Sequence, residues 1–286
     1  DVIRLMIPRQ IGASAVQLNF LVNNFIASFL AQGSITAICL GLSIMLMPQA
    51  AIAQSVATVS LPRFSVLAGC GEIGAMRRAL AGTLRLVLFL ALPATAGLIL
   101  FSLDIVRFIF ERRAFGANMS EMVQWALICY SVGLVFHSVV EVVSRAFYAV
   151  HDTKTPVIVL FIAMALNMGL SLGLTRVFAG VGFPAHGGVA LANSIATGLE
   201  MIALLVLMRR RINGLDGKIL IQAIGQSVTA TVGMSLFILL WKTLFKGLTP
   251  LLYLAGGIGG ALLVYGGICF LLRVEELQLL RRFFRR

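Results

Sequence analysis

Long apolar runs recur along the whole 286-residue chain, and they restrict its fold more than any other feature. A run of roughly 20 apolar residues is long enough to cross a bilayer as a helix. Soluble domains carry about 25% charged residues, whereas this chain carries 12% and is 59% hydrophobic. The runs therefore predict an all-α, polytopic membrane protein.

We expect about eight membrane-spanning helices, separated by short polar, glycine-rich or basic segments. Pro62–Arg78 is predicted to be a polar, basic segment whose second half lies as a short helix on the membrane surface. Glycine and proline predict a loop from Gly180 to Gly188. The spans are predicted near Leu5–Leu30, Ile35–Leu61, Leu80–Phe101, Glu121–Val150, Pro156–Phe178, Val189–Met208, Ile219–Phe245 and Leu251–Leu272.

The positive charges are distributed unevenly across these spans. The net charge is +12, and with eight spans 17 of the 23 lysines and arginines fall on the side that also holds both termini. The positive-inside rule places that side in the cytoplasm, which explains the charge without a nucleic-acid partner. The tail Val274–Arg286 is predicted to be an interfacial helix against anionic lipids; the alternative is a solvated basic end.

Amides and hydroxyls interrupt the first two apolar runs at helical spacing. A polar stripe within a membrane span has to face protein or water, because lipid cannot satisfy it. One interpretation is that the two helices line an interior cavity; the other is that the amides only hold helices together. The candidate cavity residues are Gln17, Asn24, Thr36, Ser43 and Gln54.

Few ionisable residues lie inside the predicted spans. His137, Glu141 and Arg145 have i, i+4, i+8 spacing on one face of the fourth span, where Glu141 can pair with Arg145. These residues are either a structural group or a proton- or cation-coupled gate. Glu200 in the sixth span has no basic residue at i±4, so it either meets a basic group on another helix or lies at the edge of a cavity.

Catalytic and metal-binding motifs are missing from the sequence. The three histidines are far apart, and there is no HExxH motif, phosphate-binding glycine loop or GxSxG elbow. The four cysteines have no ligand spacing. We therefore expect neither enzymatic activity nor a bound metal or cofactor.

Several motifs then occur in the order found in a known family. They are Pro8-Arg9 with Gln17, the Phe108–Phe115 stretch, Arg145-Ala146-Phe147-Tyr148-Ala149, Asp152–Pro156, Asn167 and Gly187–Ala192. This order resembles the C-terminal part of the MurJ (MviN) family, which flips lipid II, the undecaprenyl-linked peptidoglycan precursor. The family belongs to the multidrug/oligosaccharidyl-lipid/polysaccharide exporter superfamily.

The resemblance implies a chain that starts at the seventh of fourteen helices. Residues 1–211 would form the second six-helix transporter lobe and residues 212–286 two additional helices, with the N-terminal lobe as a missing partner. It implies a multi-pass protein of the bacterial cytoplasmic membrane that alternates access to a lipid-linked oligosaccharide. Arg9 would either attract the diphosphate or serve as an ordinary positive-inside anchor, and Na⁺, H⁺ or the membrane potential would drive transport.

Two departures from the family pattern leave other functions open. Ser43 replaces a cavity arginine, and Asn23 or Asn24 replaces an acidic residue of the seventh helix. An uncharged cavity would also suit a cation-coupled multidrug or polysaccharide exporter. A membrane scaffold without transport activity is the third interpretation.

Overall fold

The computed structural model describes residues 17–111, 116–215, 217–245, 247, 249–272 and 274, with backbone only at 218 and 219. All regular structure within these ranges is helical. A first helix, α1, covers 17–28. The others are α2 (Ser34–Gln49), a π-helical segment (Ala50–Gln54), α3 (Ser55–Gly69), α4 (Ile73–Leu100), α5 (Ser102–Phe110), α6 (Ala117–Ala149), α7 (Lys154–Val181), α8 (Ala185–Arg211), α9 (Gly217–Leu244) and α10 (Pro250–Leu271).

The predicted membrane-spanning character is confirmed. Seven helical stretches within the described residues are long and apolar enough to cross a bilayer, and α2, the π segment and α3 form one of them, Ser34–Gly69. Helix α1 belongs to the first predicted span, of which residues 5–16 lie outside the described ranges. The predicted tail helix also lies almost entirely outside them.

Two apolar clusters occupy successive levels along the same helices. The α2 cluster contains Ile38, Met45, Leu127 and Val189, so it joins α2 to α6 and α8. The α3 cluster contains Phe64, Leu80, Val143 and Met208, joining α3 to α4, α6 and α8. Helices α6 and α8 run through both levels.

Helices α9 and α10 pack on the outside of α4. The Tyr265 hydroxyl on α10 donates a hydrogen bond of 2.6 Å to the Phe89 carbonyl on α4. Lys242 on α9 donates to the Leu100 carbonyl at 2.6 Å and pairs with Asp104 on α5 at 2.8 Å. These contacts attach the pair to one edge of the bundle.

The prediction of a basic surface segment over Pro62–Arg78 was wrong. Helix α3 continues through Pro62 to Gly69, and α4 already begins at Ile73. Phe64 and Met76 are fully buried in the α3 cluster. Their burial stabilises helix on both sides of the turn and outweighs the unfavourable proline.

The predicted loop over Gly180–Gly188 was also wrong, because the connection is only 182–184. Gly182 ends α7 with φ +84°, a conformation that glycine adopts without strain. Gly188 lies in α8, where a Cβ atom would be 2.7 Å from the Leu174 carbonyl carbon and the Thr175 nitrogen. This glycine serves close helix packing rather than a loop.

Candidate functional site

The predicted polar stripe is largely uncovered in the folded chain. Gln17, Thr36, Ser43 and Gln54 are exposed, and Asn24 is half-buried. Arg9 lies outside the described residues. This surface also has an apolar part, because Met47 on α2 is 64% exposed.

Few of these side chains bond to neighbouring helices. Ser43 Oγ donates to the carbonyl of Cys39, one turn earlier, at 2.7 Å. Asn24 Oδ1 accepts a weak bond of 3.5 Å from Cys39 Sγ, which links α1 to α2. Within the described part of the chain, Thr36 and Gln54 make no hydrogen bond to another helix. Exposed amides and hydroxyls on apolar helices need water or polar protein groups beside them, because lipid tails cannot form hydrogen bonds with them.

A second polar group lies behind the stripe and was not selected from the sequence as a site. Asn167 Nδ2 on α7 donates a hydrogen bond of 2.9 Å to Asn19 Oδ1 on α1. Ser171 Oγ in turn donates to Asn167 Oδ1 at 3.0 Å. The sequence did contain a pattern that predicts part of this group, because Asn167 and Ser171 are four residues apart and so lie on one helical face. Their partner on α1 could be found only from the fold.

Asn23, one turn after Asn19, is 4% exposed and its Oδ1 has no hydrogen-bond partner among the described residues. Burying such an oxygen unpaired is costly. This part of α1 is therefore polar on its buried side as well as on its exposed side.

The predicted ionisable group on α6 divides into two parts. His137 Nε2 lies 3.2 Å from Asn193 Oδ1 and 3.4 Å from Thr197 Oγ1, both on α8. Arg145 Nη2 donates to Glu141 Oε1 at 2.6 Å within α6, the pairing that the spacing predicts. The histidine thus connects two helices, whereas the ion pair lies within one.

Glu200 is half-buried on α8, one turn after Thr197. In the described ranges it forms no ion pair. The structure does not bring Glu200 together with Arg145, so the four predicted gate residues do not form one connected group. No cluster of three metal-ligating side chains was found in the part of the chain that is described.

Comparison with known proteins identifies one family. The model of the family described as lipid II flippase MurJ matches residues 1–256. A probable lipid II flippase MurJ of Rhizobium tropici is 33% identical over 207 residues, covering 72% of this chain and 38% of that protein. A probable lipid II flippase MurJ of Bdellovibrio bacteriovorus is 27% identical, and the alignment covers 98% of this chain and 53% of that protein. The chain spans about half the length of such relatives.

Solved structures give the same result at the level of the fold. A lipid II flippase MurJ in an inward closed conformation superposes with a TM-score of 0.74 at 26% identity, over 96% of this chain and 53% of that one. A MATE transporter in a bent conformation matches with a TM-score of 0.59 at 18% identity, over 97% of this chain and 67% of that one. The second likeness concerns the fold alone.

Proposed function

We propose that this chain, which belongs to the lipid II flippase MurJ family, is the second half of a transporter that flips a lipid-linked cell-wall precursor. The observation that carries the proposal is the exposed polar stripe on α1, α2 and the π segment. A water-filled cavity beside these helices satisfies that stripe and holds the hydrophilic head of an undecaprenyl-diphosphate-linked peptidoglycan unit.

Transport in this proposal is alternating access. Residues 1–211 form one lobe, the other lobe is supplied by sequence outside this chain, and the two rock about a cavity near the bilayer midplane. Helices α9 and α10, within residues 212–286, offer the polyprenyl tail an apolar surface, on which Leu236 and Leu263 are exposed. The tail then never leaves lipid while the head crosses.

Each stripe residue has a role in binding the head group. Thr36, Ser43 and Gln54 hydrogen-bond the sugar and peptide part, together with Gln17 and Asn24. Arg9 attracts the diphosphate through charge-assisted hydrogen bonds. The exposed Met47 suits a cargo with both polar and apolar parts.

The orientation follows from the charges. The side that holds 17 of the 23 basic residues faces the cytoplasm of a bacterial cell, so both ends of this segment are cytoplasmic. Anionic lipids of that leaflet then bind the basic ends of the helices. Na⁺, H⁺ or the membrane potential supplies the driving force.

The proposal is tested in the complete protein, in cells depleted of the native copy. Replacing Thr36 by Val and Gln54 by Leu together removes two head-group partners while keeping side-chain size. We expect lipid-linked precursor to accumulate on the cytoplasmic side although the variant inserts normally. Thr229→Val is the matched control, because Thr229 is exposed on α9 and, among the described residues, its hydroxyl bonds only to the Gly225 carbonyl of its own helix.

The result also separates the alternatives. If depleting the protein leaves the amount of lipid-linked precursor unchanged but increases drug sensitivity, the result favours an exporter. If depletion only mislocalises partner proteins, it favours a scaffold. The exposed, uncharged Ser43 favours the exporter as second candidate, because a cavity without this cation suits amphipathic drugs better than a diphosphate.

A further inference from the structure

His137 is an ionisable side chain inside the membrane-spanning helix α6, and the proposed binding of the head group does not use it. It lies about 18 Å before the end of α6 at Ala149. Ionisable groups at such depth are costly and usually serve a function. His137 is half-buried, and its Nε2 lies 3.2 Å from Asn193 Oδ1 and 3.4 Å from Thr197 Oγ1 on α8. These two neighbours decide which hydrogens the imidazole carries.

The hydrogen bonds of α8 fix the tautomer of this histidine. Thr197 Oγ1 donates its one hydrogen to the Asn193 main-chain carbonyl at 2.9 Å, so it can only accept from the imidazole. Asn193 Oδ1 is an acceptor as well. Because both neighbours of Nε2 accept, Nε2 carries the hydrogen and Nδ1 of the neutral ring carries a lone pair. Nδ1 is therefore the atom at which a further proton binds.

An acceptor for a hydrogen on Nδ1 lies at the same level on α2. Gln49 is 5% exposed, and its Oε1 has no hydrogen-bond partner among the described residues. Gly41 of α2 packs against α6, where a Cβ atom would lie 3.0 Å from the Leu127 nitrogen. One span, α4, lies between α2 and α6 in the chain, so the two helices run in the same direction. Gln49, eight residues after Gly41, is then level with position 135, less than one turn from His137.

The charges near His137 are not balanced while its ring is neutral. Glu141 and Arg145, on the next turns of α6, bond to each other at 2.6 Å, so their charges cancel. Glu200, one turn after Thr197 on the same side of α8, forms no ion pair within the described ranges. One proton on His137 therefore makes the group neutral as a whole, which an apolar interior favours.

Other titratable side chains lie farther from His137. Arg85 is on α4, which packs with the side of α6 that bears Val139 and Val143, more than half a turn around the helix from His137. On the other helices packed against α6 or α8, and on these two themselves, the remaining titratable groups of the described chain are more than one turn away along the axes. They are Cys39, Arg63, Asp104, Arg107, Glu121, Cys129, Tyr130, Tyr148, Lys154, Arg176, His186 and Arg209–Arg211.

We propose that His137 is a proton-binding site and that the proton is the ion whose movement drives flipping. The inference rests on the proposed function and selects one of its three driving forces. The bound proton gives Nδ1 a hydrogen that is donated to Gln49 Oε1, which connects α6 and α8 to α2. Thr36 and Ser43 of the cargo-binding stripe lie on another side of α2, so the proton and the head group act on the same helix. Protons enter the cytoplasm as the precursor leaves it.

The first experiment measures how the precursor distributes between leaflets. The complete protein is reconstituted in liposomes with an undecaprenyl-diphosphate-linked peptidoglycan unit, a pH difference is imposed, and the membrane potential is held at zero. Exchange of one proton per lipid enriches the precursor in the leaflet on the acidic side about tenfold per pH unit, whichever way the protein is inserted. His137→Gln keeps an N–H for Asn193 but cannot bind a proton, and we expect it to leave the leaflets equal.

His186→Gln is the matched control, because His186 is a buried histidine of α8 whose Nε2 contacts the Met122 carbonyl at 2.9 Å, away from this group. It is expected to keep the tenfold enrichment. Nitrogen NMR of His137 in lipid measures proton binding itself, as a hydrogen that Nδ1 gains when the pH falls. In Gln49→Leu we expect proton binding to be about tenfold weaker, because a charge-assisted hydrogen bond is lost.

Enrichment that persists in His137→Gln would overturn the proposal. A His137 ring that stays neutral at every pH at which the protein is folded would do the same, and this measurement covers a failure of His137→Gln to fold. Flipping that leaves the leaflets equal, or enriches the alkaline side, in the unmodified protein refutes the proton site alone. A protonated His137 in a protein that never moves the precursor refutes the proposed function alone.

Discussion

Asn167 on α7 donates a hydrogen bond of 2.9 Å to Asn19 on α1, although the two residues are 148 positions apart in the sequence. Asn167 is 1% exposed, and its own oxygen accepts a bond from Ser171. The three side chains form a polar connection among apolar helices. This connection holds the first stripe-bearing helix against the rest of the lobe.

Replacing Asn167 by Ala is expected to weaken this attachment. Asn19, which is half-buried, loses its donor, and the buried Ser171 loses its acceptor, so both groups are left without this partner. Hydrogen bonds between membrane helices contribute about 0.6–2 kcal/mol, and a loss of that size is expected in the free energy of unfolding. Thermal unfolding of the complete protein in detergent measures it.

A double-mutant cycle with Asn19→Ala separates the bond from general damage. The two substitutions are expected to be less than additive, because each removes the same interaction. Asn118→Ala, at an exposed position on α6, is the control and leaves stability unchanged. Full additivity of Asn19→Ala and Asn167→Ala would show that the bond contributes nothing.

The Lys242–Asp104 pair is expected to fix α9 against the junction of α4 and α5. Lys242→Met removes the 2.8 Å ion pair and the bond to the Leu100 carbonyl. Both side chains are about 30% exposed, so screening limits the ion pair to about 1 kcal/mol or less. We therefore expect a chemical cross-linker to react faster with residues at the interface between α4 and α9.

Charge reversal tests whether the ion pair itself is responsible. The double variant Asp104→Lys/Lys242→Asp is expected to recover part of the protection, whereas Lys154→Met, at an exposed lysine on α7, leaves access unchanged. Equal access in Lys242→Met and the unmodified protein would rule out a role for Lys242 in docking.

The sequence predicted the helical class and most spans, because the length of an apolar run depends only on the bilayer. The predictions from sequence were wrong where tertiary packing determines whether a helix continues. Pro62 and the glycines at 187 and 188 were interpreted as chain breakers, yet Phe64 and Gly188 show that tertiary contacts hold helices through these positions. Helix α5 was missed because its charged residues Asp104 and Arg107 obscured a short amphipathic pattern.

The candidate site could be selected only in part. The exposed stripe followed from helical spacing, since a polar face has one direction on a helix. The contact between Asn19 and Asn167 could not be predicted in the same way, because residues on α1 and α7 meet only once the helices are packed. His137 shows the same limit: its spacing indicates Glu141 and Arg145, but its described contacts are Asn193 and Thr197 on α8.

Gly188 is expected to be the least tolerant glycine of α8. In Gly188→Ala the new Cβ lies 2.7 Å from backbone atoms of Leu174 and Thr175. Backbone cannot move aside as a flexible side chain can, so α7 and α8 have to separate, at a cost of about 1–3 kcal/mol or more. A lower thermal unfolding temperature and lower yield of folded protein are the measurements.

Gly173→Ala is the matched control on the facing helix α7, since no described atom lies within 4 Å of its Cβ position. It is expected to be neutral or slightly stabilising, because alanine favours helix over glycine. A Gly188→Ala variant as stable as Gly173→Ala would contradict the close approach of α7 and α8.

The Glu141–Arg145 pair offers a way to decide between a structural group and a gate. Both side chains are about 25% exposed and bond to each other at 2.6 Å within one helix. Glu141→Gln leaves an unpaired arginine inside a membrane span, which is unfavourable, so we expect reduced insertion and reduced flipping. Adding Arg145→Gln removes the unpaired charge, and we expect both properties to recover together, because a structural pair needs neutrality rather than charge.

Recovery is measured as the amount of folded protein in the membrane and as precursor flipping per folded molecule. A double variant that inserts normally but does not flip would instead assign the pair to a gate. Glu200→Gln then serves as the comparison: Glu200 has no ion-pair partner among the described residues, so removing its charge leaves no arginine unpaired. If Glu200→Gln alone inserts normally but does not flip the precursor, the coupling site lies on α8 rather than on α6.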